Sequence, residues 1–141
     1  MANREDTTVK KKILVVEDHA DTLEVLGYQL HFLGYEFTVA RNGVEAVERT
    51  ETEIPDLVIM DIMLPKLNGF DATLKIRANP KTCLIPILAT TAKAGPEYRD
   101  RCLKAGCDGY LAKPFTHVEL GRAIVDIFRR RAAPSVSGGV S

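Results

Sequence analysis

Six polar side chains that could act together in one chemistry follow four apolar runs of the sequence: Glu17, Asp18, Asp61, Thr90, Thr91 and Lys113. An acid after an apolar strand is most often a helix cap, so each residue says little alone. Three carboxylates at one place repel each other, and a divalent cation held by oxygen ligands relieves that repulsion. Magnesium also accepts phosphate oxygens, and a carboxylate can take a phosphoryl group as an aspartyl phosphate. The set therefore predicts phosphoryl chemistry, provided that the fold brings these side chains together.

The elements that must position them alternate between strand and helix patterns. Strand patterns cover residues 12–16, 35–40, 56–60, 85–89 and 110–112. Apolar residues at helical spacing follow each strand, and in the second helix we expect Val44 and Val47 to face the core. Five strand–helix units in series predict an α/β fold, a doubly wound parallel sheet with helices on both faces. Ligands of such sheets bind beyond the carboxyl ends of the strands, where the six polar side chains lie.

Composition limits the class of protein. The chain has 141 residues, 45% of them hydrophobic, which is enough for one domain with a substantial core. Nineteen basic and nineteen acidic residues cancel, so charge gives no reason to expect a nucleic-acid partner. The polar start is no signal peptide, and no apolar run is long enough for a membrane span. We expect a cytoplasmic protein with reduced cysteines, a flexible segment 1–10, one domain over 11–131 and a disordered tail 132–141.

Four motifs resemble one family. "ILVVED", "DLVIMDIMLPKLNG", "PILATTA" and "GYLAKPF" are similar to motifs of the receiver domains of two-component response regulators, over about residues 11–130. The resemblance implies a flavodoxin-like five-stranded sheet of order 2-1-3-4-5. It also implies that Asp61 is the phosphoacceptor and that Glu17, Asp18 and Asp61 bind Mg²⁺ with the backbone carbonyl of Met63.

The resemblance assigns further roles. Thr91 would be the switch hydroxyl that closes on the phosphoryl group, and Tyr110 the aromatic side chain that reports the state. Lys113 would pair with Asp61 and then with phosphate, and the Lys113–Pro114 bond would be cis. Because side chains alternate along a strand, only one of Thr90 and Thr91 can readily face the site. If Thr91 is not the switch hydroxyl, Thr90 is the next candidate.

The same resemblance implies partners and a lifetime. The phosphoryl donor would be a histidine kinase or a histidine phosphotransfer protein. A downstream protein would bind the face formed by helix 4, strand 5 and helix 5. Met63 and Lys93 occupy the two positions that tune dephosphorylation, and we expect no fast built-in hydrolysis from them. A chemotaxis-type single-domain regulator fits, and a receiver cut from a longer regulator or a hybrid kinase would look the same.

Other interpretations remain open. An aspartate-nucleophile phosphohydrolase needs a second acid two residues after its nucleophile, and that position is Met63. A constitutive interaction module would not need the intact site. We expect His19 to occupy an exposed first helical turn, Cys102 and Cys107 to be packing residues, and residues 129–131 to complement the dipole of a helix end.

Overall fold

A computed structural model describes residues 10–64, 66–93 and 95–132. Its elements in chain order are β1 (Lys12–Val16), α1 (Ala20–Leu33), β2 (Glu36–Ala40), α2 (Gly43–Glu53), β3 (Leu57–Asp61), α3 (Gly69–Ala78), β4 (Ile87–Thr91), α4 (Pro96–Ala105), β5 (Gly109–Ala112) and α5 (His117–Ala132). All the strand pairs are parallel, and the sheet order is β2-β1-β3-β4-β5. The predicted fold class and strand order are confirmed. The expectations for residues 1–9 and 133–141 lie outside the described residues.

Side-chain alternation along the buried strands divides the core into two layers. Leu14 of β1 packs in one layer with residues of α2, α3 and α4, and Ile13 packs in the other with residues of α1 and α5. The same alternation places Val58 of β3 in the first layer and Leu57 in the second. Because successive side chains of a strand point to opposite faces, a strand covered on both faces must be apolar throughout.

The strand register brings the carboxyl ends of the central strands to one edge. Val16 lies beside Met60, Asp61 beside Thr90, and Thr91 beside Ala112. The loops continue this pairing for one more residue, since the amide of Lys113 donates to the carbonyl of Thr91 at 2.8 Å. The residues that follow β1, β3, β4 and β5 therefore start from neighbouring positions.

Two expectations about single elements are wrong. β4 spans Ile87–Thr91 rather than 85–89, because Ile85 is held in a preceding turn by a bond from its amide to the carbonyl of Thr82. Val44 is 45% exposed, since α2 buries the face that carries Gly43, Ala46 and Thr50. A residue one position from that face is rotated by about 100° around the helix, so Val44 points to solvent.

Helix ends follow the local sequence. Asn42 and Asn68 accept hydrogen bonds from the third residue of α2 and α3, as N-caps do. Gly106 ends α4 with φ of 111°, a conformation that costs glycine little and other residues more. In the described part of the chain, no helix is long and apolar enough to cross a membrane.

Candidate functional site

The acids predicted from sequence meet at the carboxyl edge of the sheet. Glu17 follows β1 and is 1% exposed, while Asp61 ends β3 and is 3% exposed. Asp18 lies beside them and is more open, with 31% of its side chain exposed. One ligand atom from each of these acids, together with one from His19, falls in a group whose members lie within 4.8 Å of one another.

Lys113 bridges two of the carboxylates. Its ammonium donates to Oε1 of Glu17 at 2.6 Å and lies 3.4 Å from Oδ2 of Asp61. The predicted pair with Asp61 is therefore present, but the shorter contact is with Glu17. The peptide bond between Lys113 and Pro114 is cis, as the family resemblance implied.

The buried acids share too little positive charge for both to ionise normally. Burial, and after it the negative charge of Glu17, raise the pKa of Asp61 to about 6, because Lys113 and the amide of Met63 only partly oppose them. Burial also opposes ionisation of Glu17, but the hydrogen bond and charge of Lys113, together with hydrogen bonds from His19, outweigh it and leave the pKa of Glu17 below its ordinary value. Lys113 thus stabilises the charge of Glu17 more than that of Asp61.

The donor set fits a magnesium ion. Carboxylate oxygens are the ligands that Mg²⁺ prefers, and three acids supply them from the carboxyl ends of the adjacent strands β1 and β3. Oδ1 of Asp18 is buried yet accepts no hydrogen bond, so an acceptor is left over for a cation. The amide of Met63 donates to Oδ1 of Asp61 at 3.1 Å, which fixes that carboxylate at the site.

Thr91 and Tyr110 share one face of the sheet. Tyr110 lies beside Ala89 in the register, and Thr91 is two residues further along β4, so all three point to the α4 side. Thr90 points the other way. Thr91 is thus the hydroxyl that shares a face with Tyr110, whereas the register sets Thr90 beside Asp61, and the choice of Thr91 for the switch remains a prediction.

The backbone of Lys93 joins these two side chains, which sequence reasoning missed. Its amide donates to Oγ1 of Thr91 at 3.0 Å, and its carbonyl accepts from the hydroxyl of Tyr110 at 2.8 Å. The side chain of Lys93 is exposed, as is half of Met63, and their effect on dephosphorylation remains a prediction. A motion of Thr91 would therefore disturb the loop that holds Tyr110.

His19 is closer to the site than the sequence suggested. It is the N-cap residue of α1, and 70% of its side chain is exposed, in line with the expected exposure. Its ring nonetheless contacts two acids, with Nδ1 3.2 Å from Oε2 of Glu17 and 3.3 Å from Oδ1 of Asp18. The only sequence signal for this contact was that the histidine directly follows the two acids.

Two other groups have structural surroundings. Cys102 and Cys107 are buried as expected, and Sγ of Cys107 lies 3.8 Å from Oγ1 of Thr73. At the opposite edge of the sheet, Arg131 bonds both carboxylate oxygens of Asp108, a partner that the helix-dipole interpretation did not anticipate. Arg77 of α3 donates to the same carboxylate at 3.0 Å.

Comparisons with known proteins agree on one family. The model of the response regulator receiver domain matches residues 13–125. The alkaline phosphatase synthesis transcriptional regulatory protein PhoP of Bacillus subtilis is 40% identical over 129 residues, which are 90% of this chain and 53% of that relative. The chain thus spans about half the length of this curated relative.

Solved structures lead to the same group. The receiver domain of a sensor histidine kinase from Pseudomonas aeruginosa, solved with a magnesium ion coordinated in its active-site cleft, is 38% identical. It has a TM-score of 0.79 and covers 89% of this chain and 100% of that one. Chemotaxis protein CheY4 of Vibrio cholerae is 27% identical with a TM-score of 0.79, covering 84% of this chain and 99% of that one.

Proposed function

The chain belongs to the response regulator receiver domain family, and from that premise we propose that it accepts a phosphoryl group on Asp61. The donor is a phosphohistidine of a histidine kinase or a histidine phosphotransfer protein. The observation that carries this proposal is the burial of Asp61 against Glu17, Asp18 and Lys113. A buried acid whose charge is only partly offset by Lys113 lowers the stability of the fold, so its presence supports a chemical role for it.

The transfer forms one bond and breaks another. An oxygen of ionised Asp61 attacks the phosphorus, and the P–N bond of the phosphohistidine breaks with its electron pair on that nitrogen. The imidazole leaves as a neutral ring because its other nitrogen carries a proton. Glu17, Asp18 and Asp61 would hold Mg²⁺, with the carbonyl of Met63, and the bound ion offsets the negative charge of the carboxylates and of the incoming phosphoryl oxygens. Lys113 lies near enough to Asp61 to pair with the phosphoryl group after transfer.

The switch that we propose runs from Thr91 to Tyr110. In the unphosphorylated chain, the hydroxyl oxygen of Thr91 accepts a hydrogen bond from the backbone amide of Lys93. A phosphoryl oxygen offers this hydroxyl an acceptor that is absent before transfer, and such a differential contact is what a two-state change requires. Because the carbonyl of Lys93 holds the hydroxyl of Tyr110, the same movement would alter the face formed by α4, β5 and α5.

A downstream protein is the proposed reader of that face. The curated relative above is a transcriptional regulatory protein, and this chain spans only about half of it. Three expectations therefore stay predictions: that the protein has no nucleic-acid partner, that it is cytoplasmic, and that it acts as a single domain. Slow autodephosphorylation stays one as well, and it rests on an apolar Met63 that cannot position a hydrolytic water.

Mass spectrometry tests the proposal directly. Incubation with Mg²⁺ and a small phosphoryl donor such as acetyl phosphate should add one phosphoryl mass, and Asp61→Asn should abolish it. Asp126→Asn is the matched control, since it removes an acid that is 66% exposed on α5. A full adduct on the Asp61→Asn protein would refute the assignment.

The phosphohydrolase alternative lacks its second acid. The residue two positions after Asp61 is Met63, which has no proton to give to a leaving group. A steady release of phosphate from phosphomonoesters, faster than loss of the aspartyl phosphate, would favour that alternative.

A further inference from the structure

A histidine ring stands at the open side of the carboxylate site and has no partner in its own helix. His19 is the N-cap residue of α1, a position whose side chain commonly accepts an N–H of the first turn. Its side chain makes no such bond. The ring is turned toward the acids instead, and the backbone amide of His19 donates to Oε2 of Glu17 at 3.2 Å, which fixes its position.

The separations between these atoms match those around one metal ion. Ligands about 2.1 Å from an octahedral ion lie about 3.0 Å apart when adjacent and about 4.2 Å apart when opposite. Nδ1 of His19 is 3.2 Å from Oε2 of Glu17 and 3.3 Å from Oδ1 of Asp18. All four ligand atoms, including that of Asp61, lie within 4.8 Å of one another.

The acceptor capacity of the site points the same way. Oδ1 of Asp18, which lies 3.3 Å from Nδ1 of His19, is buried without a hydrogen bond. Oε1 of Glu17 accepts the short bond from Lys113, so Oε2, which accepts only the longer bond from the backbone amide of His19 and faces its ring, is the oxygen with a lone pair left for a cation. Both oxygens that face the ring are thus the ones available for coordination.

We propose that Nδ1 of His19 is a fourth protein ligand of the cation that the three carboxylates hold, and that it biases the site toward Co²⁺ and Zn²⁺ relative to Mg²⁺. The inference rests on the proposed function, because it concerns the same cation site. A neutral imidazole keeps its proton on either nitrogen, so Nδ1 can bind the metal while Nε2 carries the proton. Imidazole nitrogen favours the later divalent metals, whereas an all-oxygen site suits magnesium.

The first test looks for the nitrogen itself. The full chain, freed of metal, is loaded with Mn²⁺ and measured by electron spin-echo envelope modulation, which detects a coordinated imidazole nitrogen. Modulation should appear in the unaltered chain, vanish in His19→Gln and persist in His31→Gln, which removes an exposed histidine outside the cluster. Bound Mn²⁺ without nitrogen modulation in the unaltered chain would show that His19 only hydrogen-bonds to the acids, and the inference would be wrong.

The second test measures selectivity by calorimetry with Co²⁺ and Mg²⁺ separately. The ratio of Co²⁺ to Mg²⁺ affinity should fall about tenfold in His19→Gln and stay constant in His31→Gln. An unchanged ratio in His19→Gln would overturn the proposal.

Phosphorylation of the unaltered chain with Mg²⁺ is assayed in parallel, so that the two proposals can fail separately. Phosphorylation without nitrogen modulation supports the proposed function and rejects the ligand. Modulation without phosphorylation does the opposite.

Discussion

Removing the charge of Asp61 should stabilise the metal-free protein while abolishing phosphorylation. Burial and the charge of Glu17 raise the pKa of Asp61 from its ordinary 3.8 to about 6. A shift of about two pH units means that the folded state penalises the ionised acid by about 3 kcal/mol at neutral pH. Asparagine removes this penalty, and its side-chain oxygen can still accept the hydrogen bond from the amide of Met63. It loses, however, the negative charge that attracts Lys113. We therefore expect Asp61→Asn to raise the free energy of unfolding by about 1–3 kcal/mol in EDTA.

The pH dependence of stability gives the sign independently. Between about pH 4 and pH 6, folded Asp61 holds its proton while the unfolded chain has lost it. Stability from this group therefore falls as the pH rises through that window, and it stays low above it. The lowered pKa of Glu17 acts in the opposite direction and at lower pH, since its contribution is lost on acidification below its ordinary 4.5.

Urea unfolding in EDTA at several pH values between 4 and 8 measures both effects. The gain of Asp61→Asn over the unaltered chain should grow from about pH 4 to about pH 6 and then level off. Asp126→Asn, which changes an exposed acid, should show no such growth. A loss of stability in Asp61→Asn at neutral pH, or a gain that does not depend on pH, would refute the charge-crowding argument.

Three further predictions concern the metal, the switch and the opposite edge of the sheet. Mg²⁺ at a hundred times its Kd should raise the free energy of unfolding by about 2.7 kcal/mol in the same urea assay, and Asp18→Asn should lose most of that gain. An equal gain in the variant and the unaltered chain would show that Asp18 is not a ligand of the ion. Thr91→Ala should still take a phosphoryl group, yet the NMR shift changes of residues 96–120 on phosphorylation should be much smaller than in the parent. Shift changes as large as those of the parent would make Thr90 the candidate for the switch hydroxyl. Asp108→Ala should lower the free energy of unfolding, measured by thermal denaturation, by about 2–4 kcal/mol without affecting phosphorylation, because it leaves the half-buried guanidinium of Arg77 without its acid. No change in stability would mean that the hydrogen bonds from Arg77 to backbone carbonyls suffice.

The sequence by itself determined the element order and the identity of the acids at the sheet edge. Apolar runs, alternation and helix-end residues are local signals, and they predicted the bounds of α3 and the start and end of α4 correctly. Because parallel strands place their carboxyl ends at one edge, the sequence alone predicts that these acids lie together. The family motifs then supplied the strand order that local patterns do not contain.

Only the tertiary structure decided which atoms meet. The nearer acid to Lys113 is Glu17 rather than Asp61, and His19 turns its ring to the acids rather than to its helix. Val44 faces solvent although it is apolar, since α2 buries smaller residues where it packs closely on the loop before α3. Each of these outcomes depends on distances between residues far apart in the chain or on competition among neighbouring side chains. Local sequence patterns do not record such distances, because they are set by the packing of the whole domain.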